Sequence, residues 1–498
     1  MKLSEVIHRL NIKNNISKDF QNIDIEGIAD SSKDVRPGFL FVAIKGFKTD
    51  GHHFIHEAIK QGAIAIIGEN DLKYTSVPYF QVDNSRKALS LVAKNFYRNP
   101  SRNKIMIGIT GTNGKTTTSY FIKHILESAG KTCSLFGTIE NIINGVSSKS
   151  LNTTPSSLIL QQMLSESHDE VVIMEVSSHG LSQFRVDGIE FDFALFTNLD
   201  HEHLDYHKTM ENYFNTKALL FDLLKPSGIA IINIDNRWGV RLVEQLQKKN
   251  KKTISIGQSV HSDTRLIQLN IRDSIVSIDD HGKTFELTSP IIGIHNLYNI
   301  TMAYQIGRLL DVRKEDIIQY FRDFNGVKGR FESYRLPGGI TVIVDYAHTQ
   351  EAIQHCLTTI RQFDANRIFH IFGFRGNRDQ DKRKDMIKTT SELSDQYILT
   401  FDDLNSVSES DMLQTLHYLQ DHYGNAKGVI IPDRTLAIKW AIEEAQEGDW
   451  IIITGKGHEA YQQDFSLKTN SDKETIITIK HELEEKFRTI NQMNVANQ

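Results

Sequence analysis

The segment Gly108-Ile109-Thr110-Gly111-Thr112-Asn113-Gly114-Lys115-Thr116-Thr117 follows the apolar run 104–109 and precedes a segment of helical spacing, 117–129. A strand, a glycine-rich turn and a helix in this order are typical of a phosphate-binding loop, because backbone N–H groups and the helix N-terminus face the phosphate oxygens. In such a loop Lys115 contacts the outer phosphates and the Thr116 hydroxyl ligates Mg²⁺. The chain has no Asn-Lys-x-Asp motif of the kind that reads guanine, so we expect ATP rather than GTP.

Short apolar runs alternate with segments of helical spacing along the rest of the chain, which is the pattern of α/β folds with parallel sheets. The runs of strand length include 39–44, 63–67, 171–174, 193–196, 229–232, 341–344, 367–372, 396–399, 428–431 and 450–454. We therefore predict an α/β protein of three domains, the second with a doubly wound, mostly parallel sheet. They are a small N-terminal α/β domain at 1–101, a central P-loop domain at 102–333 and a C-terminal Rossmann-like α/β domain at 334–498.

Composition excludes several classes of protein. The chain has 498 residues, a formal net charge of −5, 39% hydrophobic residues and 24% charged residues. A near-neutral balance argues against a protein that coats nucleic acid or an anionic membrane, and no apolar run approaches the roughly 20 residues of a membrane span. Two cysteines, Cys133 and Cys356, cannot form a disulfide framework, and the N-terminus lacks the apolar core of a signal peptide. We expect a cytoplasmic enzyme.

Polar residues follow the strands of the central domain. Glu175 comes directly after the run 171–174, at the strand end where open α/β sheets bind ligands. Residues 200–207 hold three histidines and three carboxylates, which suits either a metal cluster or a polar surface loop. Phosphate chemistry favours Mg²⁺ over zinc there. Lys217 lies in a helical pattern, and by itself that pattern predicts an ordinary surface lysine.

Five segments in the same order resemble the Mur ligases and, within that family, the MurE type. They are Gly111–Thr117, Glu175–Leu181, His203–His207, Asp345–Thr349 and Gly455–Glu459. With the N-terminal match at residues 30–52, the resemblance covers nearly the whole chain. It implies ATP-dependent ligation in peptidoglycan precursor biosynthesis: a carboxylate of UDP-N-acetylmuramoyl-L-alanyl-D-glutamate is phosphorylated by ATP, and the amino group of an amino acid then displaces phosphate.

The resemblance also implies roles for particular residues. The catalytic set is Lys115, Glu175, His203 and Lys217. Two Mg²⁺ ions are expected, and their ligands would be Thr116, Glu175, His203 and a carbamylated Lys217. ATP would contact Gly111, Thr112, Asn113, Gly114, Lys115, Thr116, Thr117, Asn296, Asn299, Arg330 and Asp345. The UDP-linked dipeptide would contact Ser31, Asn152, Thr153, Thr154, Ser177, Gln183 and Arg185.

The expected amino-acid site departs from the family pattern. Its residues would be Arg378, Asp402, Asp403, Asn405, Gly455 and Glu459, with Arg378 on the α-carboxylate of the amino acid. Family members that add meso-diaminopimelate carry Asp-Asn-Pro-Arg, whereas this chain has Asp402-Asp403-Leu404-Asn405 and so lacks the arginine. The carboxylates of Asp402, Asp403 and Glu459 would leave an acidic pocket, which favours a distal ammonium such as that of L-lysine or ornithine.

Two other interpretations stay open. One is a related ligase with another acceptor in a specialised peptide pathway, such as a folylpolyglutamate or cyanophycin-type synthetase; the loop Asn152–Pro155 argues against it. The other is a catalytically silent nucleotide sensor, although binding alone does not need the lysine expected to be carbamylated. We expect a monomer whose partners are small molecules, with no nucleic acid and no membrane.

Overall fold

A computed structural model describes residues 1–14, 20, 22–46, 49–72, 75–280, 282–377 and 380–496. Arg378, expected in the amino-acid site, lies outside the described residues. The chain folds into two compact units. The first comprises Met1–Leu199, His207–Asp263 and Met302–Asp316, and the second comprises Asp200–Tyr206, Thr264–Thr301 and Ile317–Gln498. None of the helices in the described ranges is long and apolar enough to cross a membrane.

The N-terminal part of the first unit is a sheet of parallel strands in the order β1-β2-β3-β4. The strands are β1 (Gly27–Ala29), β2 (Phe39–Val42), β3 (Ala63–Gly68) and β4 (Tyr79–Gln81). The helices are α1 (Leu3–Val6), α2 (Ile55–Lys60) and α3 (Ser85–Phe96). Apolar side chains on both faces form separate core clusters, as parallel strands covered on both sides require.

The remainder of the first unit holds a larger sheet in the strand order β12-β11-β10-β5-β9-β6-β7-β8. The strands are β5 (Ile105–Thr110), β6 (Cys133–Phe136), β7 (Glu140–Ile143), β8 (Val146–Lys149), β9 (Val171–Glu175), β10 (Phe191–Phe196), β11 (Leu224–Asn233) and β12 (Lys252–Gly257). The helices of this region are α4 (Lys115–Ser128), α5 (Ser157–Glu166), α6 (Ser178–Ser182), α8 (Met210–Asp222) and α9 (Arg237–Lys248). The short helix α7 (Leu204–His207) has Leu204–Tyr206 in the second unit and His207 in the first. Within this order β7 pairs antiparallel with both β6 and β8, and the other neighbouring strands pair parallel.

The strand order explains where polar residues meet. β5 lies between β9 and β10 and is parallel to both, with Ile109 opposite Glu175 and Thr110 opposite Phe196. The carboxyl ends of the three strands therefore share one edge of the sheet, where open α/β sheets bind ligands. The loop after β5, the end of β9 and the segment after β10 come together at that edge.

The second unit contains an antiparallel meander of β13 (Thr264–Asn270), β14 (Ile275–Asp280) and β15 (Lys283–Thr288). Two helices follow in the chain, α10 (Ile294–Leu309) and α11 (Lys314–Arg322), and the segment Met302–Asp316 that they share belongs to the first unit.

The last sheet has the order β16-β17-β21-β18-β19-β20, with β16 antiparallel and the other strands parallel. Its strands are β16 (Glu332–Leu336), β17 (Ile340–Asp345), β18 (Ile368–Phe374), β19 (Gln396–Phe401), β20 (Gly428–Ile430) and β21 (Trp450–Thr454). Its helices are α12 (Gln350–Arg361), α13 (Asp381–Leu393), α14 (Glu409–Tyr423), α15 (Arg434–Glu444) and α16 (Asp472–Ala496). Apolar clusters cover both faces of the sheet. The predicted α/β class with a doubly wound central sheet is confirmed, while the domain boundaries stay predictions.

Candidate functional site

The loop after β5 has the backbone of a phosphate-binding loop. Gly111 and Gly114 have φ values of 147° and 86°, which side chains with a Cβ rarely adopt, and α4 begins at the next residue, Lys115. A Cβ at Gly111 would also collide with the Thr197 hydroxyl. The Lys115 Nζ donates to the carbonyl oxygens of Gly111 and Thr112 at 2.8 and 2.7 Å. The lysine thus bonds to its own loop, at the helix N-terminus where an anion would sit.

Glu175 is a buried carboxylate at the end of β9. Its oxygens accept hydrogen bonds from the Thr116 hydroxyl at 2.9 Å and from the backbone N–H and hydroxyl of Thr138, both at 2.9 Å. The structure therefore brings Thr116 and Glu175 together, as the metal-site hypothesis requires. A hydroxyl and a carboxylate are hard oxygen donors of the kind that Mg²⁺ prefers.

Lys217 is buried, so the expectation of an ordinary surface lysine is wrong. Its Nζ donates to the Gly111 carbonyl at 2.8 Å and lies 4.6 Å from the centre of the Tyr213 ring. The helical pattern alone could not reveal this, because α8 buries that face against a loop about a hundred residues earlier in the chain. Lys115 and Lys217 both donate to the same carbonyl oxygen.

The histidines of residues 200–207 are divided between the two units. His207 belongs to the first unit, where its Nε2 is 3.0 Å from the Ser178 hydroxyl. His203 belongs to the second unit, where its Nε2 is 3.7 Å from the Glu202 carboxylate. Within the described ranges, no group of three histidine, cysteine or acidic side chains is arranged to hold a metal ion. The role of His203 as a Mg²⁺ ligand stays a prediction.

The residues predicted to bind the UDP-linked dipeptide form a network beside Glu175. Arg185 donates through Nη1 to the Thr154 carbonyl at 2.6 Å and through Nη2 to the Gln183 side chain at 2.9 Å. The Thr154 hydroxyl donates to the Glu175 backbone carbonyl at 2.9 Å and to the Ser177 hydroxyl at 3.1 Å.

Three further residues bear on the same prediction. Thr153 adjoins this network through Thr138, with the two hydroxyl oxygens 3.1 Å apart. Asn152 lies in the same loop, and its carbonyl accepts from the Ser150 hydroxyl at 2.9 Å. Ser31 follows β1 and precedes a short 3₁₀ turn, outside this network.

The two asparagines predicted to approach adenine adjoin each other at the start of α10. Asn299 donates to the Asn296 side-chain oxygen at 3.0 Å, and Asn296 donates to the Ile292 carbonyl at 2.8 Å. The neighbouring His295 packs edge-on against His355, with ring centres 4.1 Å apart. Burial lowers the pKa of His295 to about 4, so the His295 ring is uncharged at neutral pH.

Asp345, the predicted ribose partner, ends β17. Its two carboxylate oxygens accept from the backbone N–H groups of Phe331 and Ala347, both at 2.7 Å. Burial raises its pKa, and the nearby Arg330 acts against that rise. The Arg330 guanidinium lies 4.8 Å from the centre of the Tyr346 ring.

The carboxylates of the predicted amino-acid site are partly neutralised by cations. Lys456 lies 2.5 Å from Asp403 and 3.7 Å from Asp402, and Arg375 lies 3.6 Å from Asp402 and forms an ion pair with Glu459. Burial acts to raise the pKa of Asp402, but the nearby cations Arg434, Arg375 and Lys456 hold it below its usual value. Three carboxylates therefore face two cations, so these five side chains keep a net negative charge, and the preference for a distal ammonium stays a prediction.

Asn405 occupies the position where the family pattern has arginine, and it forms hydrogen bonds with the loop at Gly376 and Asn377. Its side chain donates to the Gly376 carbonyl at 3.2 Å, and its own carbonyl accepts from Asn377 at 2.5 Å. A Cβ at Gly376 would collide with the Leu404 carbonyl, so the two segments pack closely. Asn405 thus contributes a loop contact and no charge.

Arg375 is the charged residue that sequence reasoning missed. It directly follows β18, a strand buried along its whole length, so its position at the carboxyl end of a parallel strand was a usable signal. It lines a cavity of about 300 Å³ in the second unit. The cavity lining also includes Lys382, Arg383, Asp402 and His348. Burial lowers the pKa of His348 to about 4.

Comparison with known families assigns all three parts of the chain. Models of the "Mur ligase family, catalytic domain", the "Mur ligase middle domain" and the "Mur ligase, glutamate ligase domain" match residues 24–97, 109–307 and 329–457. A UDP-N-acetylmuramoyl-L-alanyl-D-glutamate--2,6-diaminopimelate ligase of Caldanaerobacter subterraneus subsp. tengcongensis is 36% identical over 89% of this chain and 91% of the relative. A protein of the same name from Clostridium botulinum is 39% identical over 88% of this chain and 91% of the relative.

Solved structures agree with these sequence matches. A structure of a UDP-N-acetylmuramoyl-L-alanyl-D-glutamate--2,6-diaminopimelate ligase aligns with a TM-score of 0.70 and 26% identity, over 98% of this chain and 99% of that chain. The MurF ligase from Thermotoga maritima in complex with ADP has a TM-score of 0.63 at 19% identity, over 93% of this chain and 99% of that chain, and so shares the fold. The chain therefore belongs to the Mur ligase family of ATP-dependent ligases.

Proposed function

We propose that this protein is a UDP-N-acetylmuramoyl-tripeptide synthetase, which joins a diamino acid to UDP-N-acetylmuramoyl-L-alanyl-D-glutamate as a step in making peptidoglycan precursors. The observation that carries the proposal is that Glu175 forms hydrogen bonds with two different loops. Its carboxylate bonds to Thr116 of the phosphate loop, and its backbone carbonyl bonds to Thr154 of the loop expected to meet the dipeptide. One residue thus connects the site expected for ATP with the site expected for the acyl donor.

The reaction is an amide ligation in two steps. The dipeptide carboxylate attacks the γ-phosphorus of ATP, forming an acyl phosphate as ADP leaves. The amino nitrogen of the incoming amino acid then attacks the acyl carbon, loses a proton and expels phosphate. Because both reactants of the first step are anions, positive charge at the phosphate loop lowers its barrier. Lys115 is suited to supply it, since its Nζ can exchange two loop carbonyls for phosphate oxygens.

Thr116 and Glu175 suit one Mg²⁺ site, and His203 is proposed for a second from the family resemblance. When bound, Mg²⁺ supplies positive charge to the phosphate oxygens. Lys217 would contribute as a carbamate, formed when its uncharged amine adds CO₂ and releases a proton. Burial disfavours the charged form of an amine, so the buried position of Lys217 supports that chemistry. A carbamate also turns a cation into an oxygen ligand.

The substrates proposed are ATP, the UDP-linked dipeptide and a diamino acid, and we expect the enzyme to act as a monomer in the cytoplasm. Arg378 is proposed to hold the α-carboxylate of the amino acid. The names of the relatives support a diamino acid.

The test is ADP release with Mg²⁺, ATP and UDP-N-acetylmuramoyl-L-alanyl-D-glutamate against a panel of amino acids. We expect release only when a diamino acid is present, and transfer of ¹⁸O from a labelled dipeptide carboxylate into the released phosphate. Lys115→Ala should abolish release. ATP binding without ADP release would favour a nucleotide sensor, and release with another acyl acceptor in place of the UDP-linked dipeptide would favour a different ligase.

A further inference from the structure

We propose that a cavity beside α3, bounded by the loop that carries Arg185, binds a small organic anion with an apolar body. The cavity measures about 430 Å³, a size typical of ligand pockets, and its lining residues all belong to the first unit. They come from the segment after α1, from the start and one face of α3, and from the loop between α6 and β10. None of the described residues assigned above to ATP, the UDP-linked dipeptide or the amino acid lines this cavity.

The apolar part of the lining comes from three segments of the chain. Leu10 follows α1, Val82 follows β4, and Ala88 and Leu91 belong to α3. Ala88 and Leu91 are three residues apart, so they share one face of the helix. Val82 and Ala88 are each 4% exposed, and Leu10 and Leu91 are half-buried. Such a surface favours the apolar part of a ligand, because the ligand removes it from water.

Three cations line the same cavity, and two of them have no partner among the described residues. Lys87 and Lys94 lie two helical turns apart on α3, and Arg9 follows α1. In the parts of the chain that the structure describes, the side chains of Arg9 and Lys94 form neither an ion pair nor a hydrogen bond. Both can therefore donate to a ligand.

The carboxylates around the cavity do not neutralise these cations. Asp83 forms an ion pair with Lys13, which lies outside the lining. Asp187 is 3.9 Å from the Lys87 Nζ. The two cations without partners therefore leave an excess of positive charge, although the chain as a whole has a formal net charge of −5. An anionic group is complementary to this part of the cavity.

Arg9 has a backbone conformation that glycine would adopt at lower cost. Its φ is 62°, in the left-handed region that residues with a Cβ disfavour. The Leu10 N–H donates to the Ile7 carbonyl at 2.9 Å, which turns the chain after α1. An arginine at this turn thus keeps a cation at the cavity at the expense of backbone strain.

The loop between α6 and β10 connects the cavity with the expected acyl-donor site. Asp187 lines the cavity, while Arg185 of the same loop donates to the Thr154 carbonyl. The Lys87 Nζ is 3.9 Å from Asp187 and 6.0 Å from the centre of the Phe184 ring. An anion that draws Lys87 away removes these contacts from the loop, so we expect it to weaken binding of the UDP-linked dipeptide. This consequence rests on the proposed function, whereas anion binding in the cavity does not.

Four small molecules test the two parts of the cavity. Hexane-1-sulfonate has one negative charge and an alkyl chain, methanesulfonate lacks the chain, hexan-1-ol lacks the charge, and protonated hexan-1-amine reverses it. In NMR titrations of the wild-type protein, hexane-1-sulfonate should bind at least roughly 10-fold more tightly than each of the others, since each loses either apolar burial or a charge-assisted contact. Equal affinities for the two sulfonates, or for hexane-1-sulfonate and hexan-1-ol, would overturn the proposal.

Variants assign the binding to this cavity. Arg9→Gly removes a cation but accepts the positive φ, so it should weaken hexane-1-sulfonate binding roughly 3- to 10-fold without lowering the midpoint of thermal unfolding. Lys94→Glu should weaken it at least roughly 10-fold, and Asp187→Asn, which removes a negative charge, should tighten it roughly threefold. The control Lys60→Glu, exposed at the end of α2, should leave it unchanged. Undiminished binding in both Arg9→Gly and Lys94→Glu would overturn the proposal.

The connection to the acyl-donor site is tested by binding alone. With UDP-N-acetylmuramoyl-L-alanyl-D-glutamate at saturation, hexane-1-sulfonate should bind roughly 3- to 10-fold more weakly, and the reverse titration should give the same factor. The effect should level off, because the two ligands occupy different places; weakening without limit would mean one shared site and would contradict the assignment.

The proposed function can fail separately. If the UDP-linked dipeptide does not bind, the proposed function fails, while the sulfonate titrations still decide whether the cavity binds an anion. If both ligands bind and neither changes the affinity for the other, the connection through the loop is rejected.

Discussion

The Thr116 hydroxyl donates a 2.9 Å hydrogen bond to the Glu175 carboxylate, which ties the first turn of α4 to the end of β9. The same carboxylate holds Thr138 through two hydrogen bonds, and Thr138 reaches Thr153. A change at Glu175 should therefore affect both the nucleotide and the acceptor.

Glu175→Gln keeps the size of the side chain and removes its charge. We expect kcat to fall at least roughly 10-fold and the affinity for Mg²⁺–ATP to weaken, because an amide is a poorer ligand for a hard cation than a carboxylate. Steady-state ADP release and calorimetric titration of Mg²⁺–ATP measure the two effects. Glu211→Gln, at an exposed ion pair with Arg241, is the control; an unaltered kcat in Glu175→Gln would contradict the assigned role.

The sequence allowed the sheet edge to be predicted because apolar runs followed by Gly111, Glu175 and Asp345 mark carboxyl ends of strands. Parallel pairing places such ends at the same edge of a sheet, and this can be predicted without knowing how the side chains pack. The fold class and the neighbourhood of Thr116 and Glu175 could therefore be inferred before the structure.

Pairing between distant segments could not be inferred in the same way. The burial of Lys217 depends on which face of α8 packs on the phosphate loop, and the helical pattern leaves that open. The acidic pocket inferred from Asp402 and Glu459 did not include Arg375, whose partner is far away along the chain. The net charge of a site cannot be obtained from neighbouring residues in the sequence alone when an ion pair such as Arg375–Glu459 joins distant segments.

Lys217→Ala should lower kcat about 100-fold if the side chain acts as a carbamate, since its oxygen ligand would be lost. Wild-type enzyme depleted of CO₂ should lose activity and recover it with bicarbonate, and ¹³C-bicarbonate should give a carbamate resonance that Lys217→Ala lacks. The exposed Lys248→Ala at the end of α9 is the control. Full activity without CO₂, together with no carbamate resonance, would reject carbamylation.

Arg185→Ala should raise KM for the UDP-linked dipeptide by roughly 10-fold and leave KM for ATP nearly unchanged. The arginine holds the Thr154 carbonyl and the Gln183 side chain, and each charge-assisted hydrogen bond of this kind is worth about 1.5–3 kcal/mol. Initial-rate measurements with each substrate varied in turn provide the test, with the exposed Arg237→Ala as the control. Equal increases in both KM values would point to a general loss of structure.

His370 should make the protein less stable in acid. It is fully buried on β18, within 3.0 Å of the Thr390 hydroxyl and 2.9 Å of the Thr454 hydroxyl. Burial, helped by the positive charge of Arg434, lowers its pKa from 6.5 to about 3. Between these values the unfolded chain binds a proton that the folded protein does not. The free energy of unfolding therefore falls by up to about 1.4 kcal/mol per pH unit as the pH falls through this window.

His370→Gln tests this dependence, since glutamine can hydrogen-bond to the two threonines but does not titrate in this range. Midpoints of thermal unfolding measured from pH 7 to pH 4 should fall less steeply for this variant than for the wild type. His422→Gln, at an exposed position on α14, should give a curve parallel to that of the wild type. Parallel curves for His370→Gln and the wild type would mean that the folded protein takes up the proton as readily as the unfolded chain does.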